Sequence, residues 1–386
     1  MSLTKIVATV GPATEKEEVL SLLLKNGVSV FRFNLKYNTP RWHKNLIQKI
    51  RKISRKIEKP VSILLDFPDL KGKTQKEKIR FIENYLENLP QKEIDFLAVS
   101  FVRKKEDIEV FERETKRFSL SSKIFAKIEA KESLENFEEI LESSIGIMIA
   151  RGDLGVEIPL EKVPYFQKKI IRRCVQVGKP AIVATQMLKS MVKEPFPTRA
   201  EVSDVANSVL DYTDAVMLSE ETAIGKYPVE AVKIMKKICS FWEKKRAFLS
   251  WNVEIKNQTS AICYCAYQLW RNFECQREKI KAFVVLTKKG MSAHMLSRLK
   301  PKIPIFALTP DEKLKDRLCV LYGVFPLIFK KNRNFYQKKD WQNIKEILSY
   351  LKKKTFLKSK DKVILVYAED WKKFGRANVL RIQKIP

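Results

Sequence analysis

The sequence predicts an α/β protein in which a closed (β/α)8 TIM barrel is followed by a smaller open α/β domain. Three observations favour this fold class. Eight short runs of β-branched and aromatic residues recur at spacings that leave room for one helix each. A polar residue ends nearly every run, and a chain of 386 residues is longer than a single hydrophobic core usually serves.

The eight strand-like runs are separated by segments with the pattern of amphipathic helices. Successive runs start 23 to 34 residues apart, which predicts eight βα units and therefore a barrel. In the segment 16–27, for example, Gly27 provides a helix stop after an apolar stripe. The runs begin near Lys5, Val28, Val61, Ile94, Lys123, Gly146, Pro180 and Asp214.

Polar side chains at the ends of these runs predict an active face. In a (β/α)8 barrel the carboxyl ends of all strands meet on one rim, where such enzymes hold their catalytic groups. The strand-end residues are Asn34, Asp66, Ser100, Glu129, Asp153, Thr185 and Ser219.

A domain boundary is predicted near Trp251, which gives a barrel over 1–250 and a second domain over 251–386. In the second part, strand-like runs alternate with helical stretches, a pattern typical of a small open α/β sheet. These runs span 281–287, 303–309, 324–329, 362–368 and 379–385.

The most informative local pattern combines Lys127, Glu129 and Asp153. Lys127 and Glu129 stand two apart in a strand-like run, so they project from the same face. Asp153 follows Gly152 at the end of the next run, where a glycine lets backbone N–H groups turn toward an anion. Two carboxylates, a lysine and this turn suit a hard divalent metal that holds a phosphate or another oxyanion. For either segment alone, a structural salt bridge at a strand end is the alternative.

Composition excludes several function classes. Two histidines disfavour a zinc hydrolase or a histidine-based triad, and six cysteines without paired CxxC spacing predict reduced thiols. No run approaches 18 apolar residues and no apolar leader follows a basic start, which predicts a cytoplasmic protein without membrane spans.

The net charge of +30 comes from 75 Lys and Arg against 45 Asp and Glu. Such a surplus suits nucleic acid or the steering of phosphorylated metabolites. Because it is spread through the chain without a nucleic-acid-binding signature, the sequence favours solvated basic faces over a nucleic-acid partner.

Several segments together resemble the pyruvate kinase family. They include "TKIVATVGPAT" from Thr4, "AKIEAKESLENFEEIL", "GIMIARGDLGVEIP", the stretch 179–232, and "LTKKGMSAHMLSRLKPKIPIFALTPDE" in the second domain. The resemblance runs from the first strand into the second domain. It implies phosphoryl transfer from phosphoenolpyruvate to ADP to give pyruvate and ATP, a glycolytic role, Mg2+ or Mn2+ as cofactor, and a homotetramer.

The resemblance also assigns roles to individual residues. Glu129 and Asp153 are implied to bind the divalent metal, and Arg32 and Lys127 to act on the phosphoryl group. The backbone N–H groups around Gly152 and Asp153 and the hydroxyl of Thr185 are implied to take the substrate carboxylate. Thr185, Ser219 and Glu221 are expected to serve in protonation of the enolate, and capping of a following helix is the less favoured alternative for Thr185 and Ser219.

The sequence departs from the family pattern at the nucleotide and monovalent-cation sites. Asp66 and Ser100 are only 34 positions apart, which leaves no room for the lid domain that the family inserts there. Lys73 stands in the place of a nucleotide-site arginine, and Glu220 stands where the family has glycine. Asn34 remains for the nucleotide, whereas Lys36 replaces a hydroxyl that helps to hold K+.

These departures leave alternatives open. We expect an active enzyme that holds ADP weakly. Two alternatives remain for the monovalent cation. Either the enzyme requires K+, or the ammonium group of Lys36 replaces K+ beside Asn34, Asp66 and Phe67. The alternatives are a catalytically weak or inactive homologue that binds a ligand or partner, and a metal-dependent 2-oxo acid lyase.

Overall fold

The computed structural model describes residues 2–69, 75–118, 122–275, 279–329, 340–369 and 376–386. The chain divides into two compact units, Met1–Ala247 and Phe248–Pro386. Within the described ranges, no helix combines the length and apolar composition that a membrane crossing requires. The five cysteines whose side chains are described are free thiols, as predicted.

The first unit is a closed barrel of eight parallel strands, which confirms the predicted fold class. Each strand pairs with the next along the chain, and β8 closes the barrel against β1 with Lys5 opposite Ala215. Nearly every strand residue is buried because side chains fill the interior and helices cover the outside. The strands are β1 (Lys5–Thr9), β2 (Val28–Asn34), β3 (Ser62–Phe67), β4 (Phe96–Val99), β5 (Lys123–Ile128), β6 (Gly146–Ala150), β7 (Ala181–Ala184) and β8 (Ala215–Leu218).

Helices follow the strands around the barrel. Gly27 ends α1 with a φ of 120°, and its N–H donates to the carbonyl oxygens of Leu23 and Leu24. The predicted end of this helix is thereby confirmed. Between β3 and β4 the described residues form α3 and one 3-10 turn. The helices are α1 (Glu17–Asn26), α2 (Pro40–Lys56), α3 (Gln75–Asn88), α4 (Lys105–Arg117), α5 (Lys131–Glu135), α6 (Phe137–Ser143), α7 (Arg151–Glu157), α8 (Val163–Val177), α9 (Arg199–Leu210), α10 (Glu220–Ala223) and α11 (Pro228–Lys245).

The second unit is an open five-stranded sheet, as the alternating pattern predicts. Its strand order is β11-β10-β9-β12-β13, with β13 antiparallel to β12 and the other pairs parallel. Buried leucine and isoleucine side chains of α15 pack on one face of this sheet. The strands are β9 (Ile280–Leu286), β10 (Ile305–Thr309), β11 (Val324–Ile328), β12 (Lys362–Tyr367) and β13 (Val379–Lys384). The helices are α12 (Gln258–Cys275), α13 (Met291–Ser297), α14 (Glu312–Arg317) and α15 (Asp340–Lys354).

Candidate active site

Four buried charged side chains meet at the carboxyl ends of β2, β3 and β5. Asp66 accepts from Arg32 Nε at 2.7 Å through Oδ2, and its Oδ1 lies 3.2 Å from Lys127 Nζ. Lys127 Nζ also lies 2.9 Å from Glu129 Oε1. Lys127 and Glu129 share a face as their spacing predicts. The register between β2 and β3 brings Arg32 and Asp66 close to Lys127 on the rim.

Burial and mutual attraction set the ionisation of this cluster. Burial alone raises the pKa of Asp66, but Arg32 and Lys127 outweigh it, so this pKa lies below its ordinary value. Burial lowers the pKa of Lys127, but Asp66 and Glu129 outweigh it and raise the value. For Glu129 burial prevails over the attraction of Lys127 and raises the pKa to about 7. At neutral pH Asp66 is therefore ionised and Lys127 is protonated, whereas Glu129 titrates near pH 7.

A second group of site residues lies at the ends of β6 and β7. Thr185 has a φ of 70°, which is strained for a β-branched residue. Its Oγ1 accepts from the Gly152 N–H at 2.8 Å and donates to the Ala184 carbonyl oxygen at 2.6 Å. A Cβ at position 152 would lie 3.3 Å from that Oγ1, so glycine permits this close approach. The N–H of Gly152, predicted to take a carboxylate, is thus paired with Thr185.

An ion pair between Arg151 and Asp204 supports the backbone at Thr185. Arg151 donates from Nη1 to Asp204 Oδ1 at 2.5 Å and from Nη2 to Asp204 Oδ2 at 2.6 Å. The same Nη2 donates to the Thr185 carbonyl oxygen at 2.9 Å. This bidentate pair links α9 to the strained turn after β7. Asp204 is not predictable as a site residue from the sequence, because nothing local to α9 indicates its partner.

Glu221 and Ser219 follow β8. The buried Glu221 carboxylate accepts from the backbone N–H groups of Leu188 at 3.0 Å and Ser219 at 2.7 Å. Burial raises the pKa of Glu221. Ser219 Oγ is itself buried and has no hydrogen-bond partner among the described residues. The helix-capping alternative for Ser219 therefore lacks its hydrogen bond, since this hydroxyl caps no N–H of α10.

The predicted metal ligands come from neighbouring strands. Glu129 is buried after β5, and Asp153 is exposed in the first turn of α7 after β6. Among the described residues, no three His, Cys, Asp or Glu side chains form a metal cluster. Mg2+ commonly uses one or two carboxylates and takes its other oxygens from water and substrate. The donor chemistry of Glu129 and Asp153 therefore fits Mg2+ or Mn2+ and does not fit a structural zinc.

The residues predicted for the nucleotide and monovalent cation are arranged differently from the charged cluster. Asn34 Oδ1 accepts from the Lys36 N–H at 3.1 Å, and the exposed Lys36 Nζ lies 5.9 Å from the Tyr37 ring centroid. Within the described part of the chain, Lys36 and Asp66 form no ion pair, because Arg32 and Lys127 occupy the Asp66 carboxylate. Lys73 lies outside the described residues.

Two hydroxyl groups complete the cluster and were not assigned to the site from sequence. Ser100 Oγ, just after β4, accepts from Lys127 Nζ at 2.7 Å. Thr9 Oγ1, at the end of β1, accepts from Arg32 Nη1 at 2.9 Å. Ser100 was recognised as a strand-end polar residue, so its position on the rim was visible. Its partner depends on strand register.

The fold and the site define the class of protein. It is a (β/α)8-barrel enzyme whose rim of strand ends carries side chains suited to a phosphate and to a divalent metal. The pyruvate kinase barrel-domain family model matches residues 1–83 and 69–232, and the pyruvate kinase alpha/beta-domain model matches 261–383. The chain belongs to the pyruvate kinase family.

Relatives support this membership over the full length. The chain is 32% identical to the pyruvate kinase of Thermococcus litoralis, over 99% of this chain and 98% of the relative. It is 31% identical to that of Thermotoga maritima over 100% of both chains, and 33% identical to that of Staphylococcus aureus over 86% of this chain and 72% of the relative. The first alignment spans 480 positions, whereas this chain has 386 residues, so the relative carries residues without a counterpart here. The two barrel-model matches overlap after β3.

Proposed function

We propose that the chain transfers the phosphoryl group of phosphoenolpyruvate to ADP, giving pyruvate and ATP, as a glycolytic enzyme of the cytoplasm. One observation carries the proposal: Arg32 and Lys127 converge on Asp66, and Lys127 also contacts Glu129. Two buried cations beside a metal-suited carboxylate match the demands of phosphoryl transfer, which needs positioning and stabilisation of negative charge. Family membership supports the same reaction.

Arg32 and Lys127 act on the phosphoryl group. Arg32 is fixed by Asp66 and Thr9, so its guanidinium binds phosphate oxygens without a large change of rotamer. Lys127, protonated because its pKa is raised by Asp66 and Glu129 beyond the lowering by burial, stabilises the charge of the group in transfer. Both residues are more than nine-tenths buried, which strengthens their electrostatic effect.

Glu129 and Asp153 are the proposed ligands of Mg2+ or Mn2+. When bound, the metal supplies Lewis-acid stabilisation of substrate oxygens. Glu129 must be deprotonated to bind it, and a pKa raised by burial to about 7 allows this at physiological pH.

The opposite part of the rim orients the substrate carboxylate. The backbone N–H groups of Gly152 and Asp153 and the hydroxyl of Thr185 are proposed to receive it, with the Thr185 hydroxyl turning its proton from the Ala184 carbonyl oxygen to the carboxylate. Ser219 and Glu221 are proposed to serve in proton delivery to the enolate. A buried hydroxyl without a partner among the described residues supports this role for Ser219.

Binding of ADP is proposed to be weak because the connection between β3 and β4 is short. Only the residues from Pro68 to Asp95 separate these strands, and the family lid completes the nucleotide site. Asn34 and Lys73 are the proposed nucleotide contacts in this chain. A homotetramer is part of the proposal by family membership alone.

Steady-state kinetics with each substrate varied tests this proposal. The expected signature is an ordinary KM for phosphoenolpyruvate, a high KM for ADP, a low kcat, and some phosphate release without ADP. No turnover with Mg2+ or Mn2+ would favour the non-catalytic alternative. Pyruvate formed from a 2-oxo acid without ADP would favour the lyase. Each relative named above is a pyruvate kinase, which favours neither alternative.

Replacement of K+ by Lys36 is a separate part of the proposal. Lys36 is exposed, so this role requires its side chain to turn toward Asn34, Asp66 and the Phe67 carbonyl. Rates in tetramethylammonium buffer with and without added K+ test it. Equal rates support the replacement, and a strong K+ requirement refutes it.

A further inference from the structure

The ammonium group of Lys127 has three partners in the structure. Nζ lies 2.7 Å from Ser100 Oγ, 2.9 Å from Glu129 Oε1 and 3.2 Å from Asp66 Oδ1. An ammonium group has three N–H donors and no acceptor, so these contacts use its full capacity. An oxygen of a phosphoryl group can bond to Nζ only when one of the three partners is released.

Ser100 differs from the two carboxylates because it is neutral and its own proton is committed. Its hydroxyl donates to the Phe67 carbonyl oxygen at 2.7 Å, at the end of β3. With the proton directed there, the oxygen lone pairs are left for Lys127 Nζ. One hydroxyl therefore connects the ends of β3, β4 and β5.

The carboxylates alone would hold Lys127 differently. Asp66 and Glu129 both attract the ammonium, and both are more deeply buried than Lys127. Without a third acceptor, the flexible lysine side chain settles between the two anions, where its charge is neutralised. Ser100 supplies an acceptor whose place is fixed by the barrel backbone and whose bond is weaker than a charged pair.

We propose that Ser100 is a positioning residue for Lys127, which holds Nζ where it can reach the transferring phosphoryl group. The inference deepens the proposed phosphotransfer function and rests on it. Glu129 is the partner that releases Lys127 when its carboxylate is engaged elsewhere, while Ser100 and Asp66 keep the ammonium in place. A misplacement of about 1 Å can cost on the order of 10²-fold in rate.

Two variants of Ser100 test this role. Ser100→Ala is expected to lower kcat by roughly 10- to 100-fold, the loss typical of one hydrogen bond to a charged group. The KM for phosphoenolpyruvate is expected to change by less than about threefold, because Arg32 and the metal site are intact. Ser100→Thr keeps the hydroxyl and is expected to restore most of the rate.

Ser133→Ala is the matched control. Ser133 is also buried on the neighbouring element, and its hydroxyl donates to the Val102 carbonyl oxygen at 2.5 Å without contact to Lys127. It is expected to lose similar stability in thermal unfolding and to keep kcat. If Ser100→Ala does not fold, Ser100→Cys takes its place, since a thiol preserves the side-chain shape but accepts poorly. The proposal is overturned if the Ala or Cys variant keeps a kcat within about twofold of wild type, or if Ser100→Thr folds and is as slow as they are.

A crystal structure of the full-length Ser100→Ala protein without metal or substrate separates this inference from the proposed function. Nζ of Lys127 is expected to move away from the Ser100 position toward the two carboxylates. An unmoved Nζ overturns the positioning role. If wild type shows no phosphotransfer while Nζ moves as expected, the proposed reaction fails and the positioning of Lys127 stands.

Discussion

Two parts of the barrel rim hold their functional groups in different ways. Around β2 to β5, Arg32, Asp66, Lys127 and Glu129 are held by opposite charges that pair with one another. Around β6 to β8, Thr185 is held by backbone hydrogen bonds and a strained φ of 70°, and the Ser219 hydroxyl has no partner among the described residues.

The two parts therefore differ in the rearrangement that substrate binding requires. A phosphoryl oxygen that bonds to Lys127 in the charged part has to replace one of its three existing partners, so binding there is an exchange of partners. In the other part, the strained turn is already in place before the substrate arrives. Strain of this kind persists only where the surrounding structure enforces it, here through Arg151 and Asp204.

The largest effect is expected from Lys127→Met, which breaks the charged part. We expect kcat to fall by roughly 10²- to 10³-fold, because a cation that stabilises the transition state is lost. Coupled turnover of phosphoenolpyruvate and ADP measures it. Lys123→Met is the control, since Lys123 lies on the same strand but is exposed at its start. Turnover like that of wild type in Lys127→Met would remove the proposed site.

Thr185→Val tests the strained part with a substitution of the same shape. Loss of the hydroxyl removes its proposed hydrogen bond to the substrate carboxylate, so we expect kcat/KM for phosphoenolpyruvate to fall roughly 10- to 100-fold. Thr185→Ser retains the hydroxyl and should keep most of the activity. If both variants lose activity equally, the hydroxyl is not the functional group.

The pH dependence of metal binding sharpens the assignment of Glu129. Burial raises the pKa of Glu129 to about 7, and a protonated carboxyl does not bind metal. Affinity for Mn2+ should therefore be about tenfold weaker at pH 6 than at pH 8. Electron paramagnetic resonance titration measures free Mn2+ directly. Glu129→Gln should bind weakly at both pH values, and equal affinities in wild type would contradict the assignment.

The smallest effect on activity is expected from a substitution of His43. This residue lies on α2, and its ring packs against Phe33, Trp42 and Tyr85. Burial lowers the pKa of His43 to about 4. The unfolded chain binds this proton near pH 6.5, so its contribution to stability is complete above pH 6.5 and is lost as pH falls toward 4.

Between pH 7 and pH 5, wild type should therefore lose about 2 kcal/mol more of its unfolding free energy than His43→Gln. Urea titrations at both pH values measure the difference. The same pH dependence in wild type and variant would show that His43 is not kept neutral by the fold. Activity at pH 7 should differ little between the two proteins.

The amino-acid sequence by itself determined the elements and the face that carries the site. Runs of β-branched residues specified the eight barrel strands, and a period of two placed Lys127 and Glu129 on one side of β5. These signals are local, because side-chain direction repeats within a few residues. Asp153 and Thr185 followed from the rule that parallel strands end on one rim.

Only the tertiary structure decided which groups become partners. Ser100 and Asp66 meet Lys127 because of the register of β3, β4 and β5, and register depends on packing between segments far apart in sequence. The same is true of Asp204 behind Thr185, and of Lys36, whose side chain lies over Tyr37 while other cations occupy Asp66. Burial, which raises the pKa of Glu129, likewise exists only in the closed barrel, because desolvation is a property of the assembled core and not of any local pattern.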